Sequence, residues 1–473
     1  MIAGGRGPSK QRQGGLMMKG KLAAAGLSIL LACVLFWAVP CDATQEGKTA
    51  AHHGPLGVED CVRIALERNY TVAIAREGVE GSRAAAQRAW SGFLPRVSAT
   101  TYWNRFTQGP TDQIILNETT GEVIVGQTVS QSFVSYTLGL NASQTLFSWS
   151  SFQNLVRSRA DVSAATHAGA AAENDIAYEV KAQFYSLVKA KKLLDVSERS
   201  YERSKGQLER AESLFELGSV AKSDVLRAKV DVAQSELDLI SARNAVEMQR
   251  ARLAKIMGLG LETPVEIKAE LSYEEVSVAE EQLFENAVNR RPDLLEARER
   301  VRAAKAGVQS ARGGSYPSLF GSFNYSWRDD YFPNSTADLE KQYTWSVAMG
   351  VSIPIFDGMV TRGNVGEAKA GLMTRLSQLR DLELGVELDV KEALIALEEA
   401  RQRIRVSEDQ LASAEESYKL AQEQYEVGLG TILELTEAQV ELTTAESQSV
   451  EAITDLKLAL ALLDRASGKP VVY

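Results

Sequence analysis

The chain has 473 residues, 45% hydrophobic and 24% charged, which are ordinary proportions for folded protein and enough chain for two or three domains. A net charge of −10 and a pI near 5.2 argue against a nucleic-acid-binding protein, which needs a clustered basic surface. The three histidines, His52, His53 and His167, are too few and too far apart for a histidine triad or a zinc site.

Residues 1–43 have the pattern of an export signal. Lys19 and Lys21 form a basic region, Leu22 to Val39 an apolar one, and Cys41-Asp42-Ala43 places small residues before a cleavage point at Thr44. Residues 1–16 are a Gly/Arg/Gln-rich tail without a structural signal, so Met17 or Met18 is a candidate start. A single membrane anchor is the competing reading of an 18-residue apolar run. Leu30-Leu31-Ala32-Cys33 is a looser match to a lipidation signal. Of Cys33, Cys41 and Cys61, cleavage after Ala43 leaves only Cys61, so no intrachain disulfide is expected in an oxidising compartment.

The remainder is one plan written twice, over 44–262 and 279–468. Residues 65–95 align without a gap on 287–317, at an offset of 222. Ala65, Arg68, Ala75, Val79, Ala84, Gln87, Ala89 and Pro95 recur as Ala287, Arg290, Ala297, Val301, Ala306, Gln309, Ala311 and Pro317. The match resumes at an offset of 210, where Ala211, Glu216, Gly218 and Ala228 recur as Ala421, Glu426, Gly428 and Ala438. The period is too long for a solenoid unit and indicates a duplicated half-protein.

Before the hairpin of each copy come two predicted strands, about 95–107 and 132–147 in the first and 317–328 and 343–356 in the second. In the first copy Val134, Tyr136, Leu138, Leu140 and Ala142 alternate with Ser135, Thr137, Gly139, Asn141 and Ser143. In the second, Leu319, Phe323, Tyr325 and Trp327 oppose Ser318, Ser322, Asn324 and Ser326. From Trp345, Val347, Met349, Val351, Ile353 and Ile355 share a face. Alternation over about ten residues with terminal aromatics is the pattern of transmembrane β-strands. The candidate lipid-facing residues are Trp103, Tyr136, Leu138, Leu140, Tyr325, Trp327, Trp345, Val347, Val351 and Ile353. A soluble sheet with one buried face is the competing reading. Four strands cannot close a membrane barrel, and lipid does not tolerate open edges. Three chains would supply twelve, so a homotrimer is expected. The connections 107–131 and 328–342 are polar and are expected to be exposed loops.

A helical hairpin follows each strand pair, over about 151–257 and 359–466. No proline occurs between Pro110 and Pro264 or between Pro354 and Pro470. The predicted arms are 151–215 and 223–256, then 360–425 and 433–465. Outgoing arms of such length, on the order of 100 Å, need a partner along their whole course. Leu435, Ala438, Leu442, Ala445, Ser449, Ala452, Leu456, Ala459 and Leu463 form a 3,4-spaced coiled-coil seam. Leu433, Val440, Ile453 and Leu460 lie off it and point to further lateral packing. Residues 263–278 are the linker between copies and 469–473 a C-terminal tail.

With these landmarks in order, the chain resembles the TolC family of outer-membrane factors over about 56–468. The resemblance rests on Ala65-Leu66-Glu67-Arg68-Asn69, its counterpart Asn289-Arg290-Arg291-Pro292-Asp293-Leu294, Pro95 and Pro317 at the strand starts, and the Gly218 and Gly428 turns. It implies a mainly α fold with membrane β: the strand-strand-helical-hairpin protomer of a trimeric 12-stranded β-barrel with a long α-helical barrel in the periplasm. A mixed equatorial belt would come from 258–290 and the tail. It implies an outer-membrane exit duct for efflux or type I secretion, partnered by a periplasmic adaptor, an inner-membrane RND or ABC-type transporter and outer-membrane lipid, with no cofactor. Glu434 and Glu437 match the family's acidic ring at the tunnel mouth, where mutual repulsion raises carboxyl pKa values. Ser223, Asp224 and Tyr425 match its closing links. Gly430 stands where the family often has arginine, which weakens an Arg–Asp latch. The tips Leu217-Gly218-Ser219 and Val427-Gly428-Leu429 match the adaptor-docking turns. No phosphate-binding loop or catalytic constellation occurs, so an enzyme is not expected. The alternative, a periplasmic coiled-coil adaptor or scaffold, would carry one hairpin with soluble β domains.

Overall fold

The computed structural model describes residues 54–116, 121, 123–268 and 280–469. The export signal with Cys33 and Cys41, His52 and His53, most of the linker and the end of the tail lie outside the described residues. In chain order come α1 (Val58–Arg68), α2 (Tyr70–Ser91), β1 (Arg96–Gln108), β2 (Asp112–Leu116), β3 (Val123–Gln127), β4 (Gln131–Ser148), α3 (Trp149–Glu216) and α4 (Lys222–Ile256). Then follow α5 (Glu280–Arg290), α6 (Pro292–Arg312), β5 (Ser318–Asp329), β6 (Tyr343–Ser352), α7 (Val360–Glu426) and α8 (Ile432–Ala466). The duplication holds for whole elements. At the 222 offset α1, α2 and β1 recur as α5, α6 and β5, and at the 210 offset α4 recurs as α8.

Two compact units cut across the repeats, because each repeat gives its strands to one and its helices to the other. The strand unit comprises Gly92–Ser148 and Tyr316–Pro354. Its four-stranded sheet has the order β1-β4-β5-β6, antiparallel throughout. The pairings Trp103 with Tyr136, Leu138 with Trp327, Leu140 with Tyr325, Tyr325 with Trp345 and Leu319 with Val351 put most of the large apolar residues of the four strands on one face, with Phe106, Phe133 and Phe320 on the other. The other face carries Ser98, Thr100, Asn141, Ser143, Ser322, Asn324 and Ser346.

Three expectations need correction. The connection 107–131 is not only loop, since Asp112–Leu116 pairs with Val123–Gln127 as a further hairpin. The last strand stops at Ser352, two residues before Pro354, which has no N–H to give a ladder, so Ile353 lies beyond it. Trp327 has the predicted facing but is fully covered: its indole N–H donates to Asp338 O (2.8 Å), and Tyr325 Oη donates to Leu339 O (2.7 Å). The 330–342 connection therefore folds back over this end of the face, where Phe332 meets Tyr136 edge-on at 5.9 Å.

In the helical unit, both outgoing arms end in the same turn. Gly218 (φ 73°) and Gly428 (φ 76°) sit where a side chain would be strained. Gly218 N–H donates to Phe215 O and Ser219 N–H to Leu214 O. Gly428 and Leu429 do the same to Tyr425 O and Gln424 O, so the last carbonyls are satisfied twice over in Schellman fashion. Eight of the nine predicted seam residues of α8 are buried, all but Ser449, which is half-buried. The two apolar cores match position by position. Ala65, Val72, Ile176, Val180, Leu187 and Val246 of the first correspond to Ala287, Leu294, Val386, Val390, Leu397 and Leu456 of the second. Cys61 lies inside the first core, where burial, then the Asp60 charge, pushes its thiol up to about 12, so it is inert as a nucleophile. Below these cores the helices lie side by side in the order α4-α3-α8-α7, and in the strand-proximal half as α2-α3-α6-α7.

Candidate functional site

The site predicted at the hairpin tips is built on the first turns of α4 and α8. Thr431 N-caps α8. Its amide N–H and hydroxyl both donate to Glu434 Oε2 (2.8 and 3.0 Å), and Glu434 N–H donates back to Thr431 Oγ1 (3.3 Å). This is a capping box, and the T-x-x-E spacing that announces it is plain in the sequence. Those bonds, the Thr431 backbone bond first, hold the Glu434 carboxyl of a single chain below the usual carboxylate range. Glu437, one turn on, is exposed. The first hairpin lacks the device: Ala221 occupies the N-cap, and Ser223 Oγ donates to the adjacent Asp224 Oδ1 (3.2 Å).

Tyr425 is 3% exposed and packs with Ile432 and Leu435 against Leu214 of the other hairpin. Burial, and after it the Asp224 charge, raises its phenol pKa. The structure thus brings Tyr425 and Asp224 into one neighbourhood, but the Tyr425 hydroxyl has no hydrogen-bond partner within the described residues. At Gly430 an added Cβ would stand 3.1 Å from Gln424 Cβ and 3.2 Å from Tyr425 N, so a side chain there requires the turn to shift. At the extreme tips Leu217 is 78% exposed and Leu429 85%, with Gly218, Ser219, Val427 and Gly428 also exposed. Two bare leucines on tight turns are a surface for apolar contact.

The polar links that do join the two hairpins involve residues with no sequence signal. Thr436 Oγ1 donates to Asp231 Oδ2 (3.0 Å), and Arg210 Nε lies 3.6 Å from Glu426 Oε1. Farther from the tips Arg203 grips Glu446 with both terminal nitrogens (3.2 and 2.8 Å), and Arg199 adds a contact at 3.3 Å. The Glu446 side chain is 8% exposed, and Gln439 Nε2 donates to Ser204 Oγ (2.7 Å) in the same buried polar layer. Among the described residues no group of three His, Cys, Asp or Glu side chains is placed to hold a metal ion, and no helix is long and apolar enough to cross a membrane.

A duplicated layer of long antiparallel helices joined to a sheet with one apolar face defines the class of outer-membrane channel proteins. The profile of the outer membrane efflux protein family matches residues 61–259 and 283–469, and the chain belongs to that family. The outer membrane efflux protein BepC of Brucella suis biovar 1 is 22% identical over 70% of this chain and 72% of its own length. The toluene efflux pump outer membrane protein TtgC of Pseudomonas putida is 21% identical over 85% of this chain and 81% of its own. Among solved structures, the Campylobacter jejuni CmeC outer membrane channel superposes with a TM-score of 0.75 at 18% identity, over 87% of this chain and 85% of its own. CusC, with a TM-score of 0.74 at 17% identity over 88% and 95% of the two chains, has the same fold.

Proposed function

We propose that this outer-membrane efflux protein works as a homotrimeric exit duct, docked at its hairpin tips to a periplasmic adaptor and through it to an inner-membrane RND or ABC-type pump. The observation that carries the reading is that both units end in edges asking for a second copy. The sheet ends in β1 and β6, each paired on one side only, which lipid does not tolerate. Three copies would close a 12-stranded barrel around the polar face. The helical layer ends in α4 and α7. On α4, exposed Leu226, Val230, Leu237, Ile240 and Met248 lie opposite the stripe buried on α3. On α7, exposed Leu384, Leu388, Ile395 and Val406 lie opposite the stripe buried on α8. Two such seams on opposite borders favour a head-to-tail ring.

In that ring Trp103, Tyr136, Leu138, Leu140, Tyr325, Trp345, Val347 and Val351 face lipid, with Trp327 beneath its covering loop. Glu434 and Glu437 of three chains gather at the mouth and favour cations. Ser223, Asp224 and the unpartnered Tyr425 hydroxyl supply its closing links. Leu217, Gly218, Ser219, Val427, Gly428 and Leu429 receive the adaptor. The chain catalyses no reaction in this reading; what it does to cargo is confine it.

Single-channel conductance in a planar bilayer tests it, with Glu434→Gln/Glu437→Gln in parallel. A small cation-selective conductance that loses selectivity in the double variant is the expected result. A water-soluble monomer without conductance would sink the duct and leave a periplasmic scaffold.

A further inference from the structure

A groove of 660 Å³ runs between α3, α6 and α7 in the strand-proximal half of the helical unit. Arg302, Lys305 and Arg312 of α6 and Lys369 of α7 line it, with no carboxylate among the lining residues. Val156 and Leu372 give it an apolar floor, and the exposed Met373 an apolar rim. In a chain of net charge −10 this is the exception. Other grooves of the same unit carry acids: Glu59 and Asp464 in one, Glu399 and Glu451 in a second, Glu399 and Asp455 in a third. Arg302 is paired, 3.5 Å from Glu299 on its own helix. Lys305, Arg312 and Lys369 are exposed and form no ion pair within the described residues.

The duplication supplies an internal control. Positions 302, 305 and 312 lie along one exposed helix face, and the 222 offset maps them to Glu80, Arg83 and Trp90 of α2. There the Arg83 charge is taken up by Glu80, and tryptophan stands in place of Arg312. The fold therefore does not require a basic, acid-free face at this level. On the α6 face it belongs to the second repeat alone; Lys369 of α7 maps at the 210 offset to Arg159 of α3, which is also basic and exposed.

We infer that this groove binds an anionic amphiphile, with a phosphate head group across Lys305, Arg312 and Lys369 and its hydrocarbon along Val156, Leu372 and Met373. Guanidinium and ammonium donors suit phosphate oxygens, and long basic side chains lay their stems on an apolar floor while their charges reach the head group. An inorganic anion has no use for that floor, and a neutral lipid none for the charges. The favoured source is an anionic phospholipid of the membrane, since five residues of chain separate Arg312 from the first residue of β5. That choice of source rests on the duct reading; the groove's chemistry does not.

The test is native mass spectrometry of the delipidated full-length protein after addition of phosphatidylglycerol or phosphatidylethanolamine. It compares wild type, Lys305→Gln/Arg312→Gln/Lys369→Gln, and Arg83→Gln/Arg159→Gln from the quasi-equivalent positions. The expected result is phosphatidylglycerol retention that falls roughly tenfold or more in the first variant, is unchanged in the second, and exceeds phosphatidylethanolamine in wild type. Equal retention in all three proteins overturns the inference. Calorimetric titration with dodecyl phosphate separates the sources. Dodecyl phosphate binding that the first variant loses, without phosphatidylglycerol retention, makes the ligand a free amphiphile in passage. Conductance of the same preparations keeps the two readings apart. Pores with equal lipid retention sink the groove alone, and lost retention without pores in any preparation sinks the duct alone.

Discussion

Glu446 and Glu236 occupy the same place in the two returning arms, 210 residues apart, and have different surroundings. Glu236 is exposed, whereas Glu446 is buried in the grip of Arg203 from the other hairpin. Two arms of equal length share the buried positions Val225, Ala228, Ser235, Val246 and Leu253, which recur as Leu435, Ala438, Ala445, Leu456 and Leu463, but α8 buries a second side as well. The first lies at a border of the four-helix layer, and the second lies inside it. A buried ion pair adds little net stability but sets register, because slipping the pair by a turn strands both charges.

The contrast is broken most severely by removing one partner. Glu446→Ala leaves the part-buried Arg203 without its counter-ion and is expected to cost about 3 kcal/mol, the low end for a buried pair, while Glu236→Ala stays within about 0.5 kcal/mol. Denaturant midpoints of the two variants check this, and Arg203→Met/Glu446→Leu should recover most of the loss. A smaller effect tests where the halves should agree. Gly218→Ala and Gly428→Ala each meet no steric obstacle but keep φ positive, so each should cost roughly 1–2 kcal/mol and by similar amounts. Unequal losses would mean that the two tips are not interchangeable.

The caps differ by less. Thr431→Ala should cost about 1 kcal/mol, and Ala221→Thr should return about as much to the first hairpin, read by hydrogen exchange in the first turns of α8 and α4. The smallest effect is in pH. Glu434 has a folded pKa below its unfolded one, so its contribution is present above the unfolded value and is lost as pH falls through the folded value. Exchange at 431–435 should quicken in that acid window, and exchange at 221–225 should not do so through this group. An acid response that survives Glu434→Gln would remove the capping box as its cause.

Much of this fold is legible in the residues. Proline-free spans, glycine turns and the 3,4 seam place the arm ends within two residues of Trp149–Glu216, Lys222–Ile256, Val360–Glu426 and Ile432–Ala466. Alternation places the strand faces, because a period of two has one solution once a face is apolar. What pattern cannot see is contact between distant elements. Arg203 and Glu446 are 243 residues apart, and each looks like a solvated charge in its own helix. The loop over Trp327 is tied down by backbone carbonyls, Asp338 O taking the Trp327 indole and Leu339 O the Tyr325 hydroxyl, which carry no side-chain signature. At the tips the difficulty is different. Thr431 and Glu434 spell out a cap within one helix turn, whereas an acidic ring needs three chains, and that is not written in the spacing of one.

Among the paired helices, α4 and α8 both have 35 residues, and α3 and α7 have 68 and 67. The fall in offset from 222 to 210 is taken up almost wholly between the first strand of each repeat and its outgoing arm. One residue inserted into a single arm would lift its tip by about 1.5 Å and turn every later side chain by about 100°. Drift in this chain is therefore free in the strand connections and extends to the single residue by which α3 outruns α7 at its strand end, while a change of length within the paired course of the arms must come in whole turns and in both repeats at once.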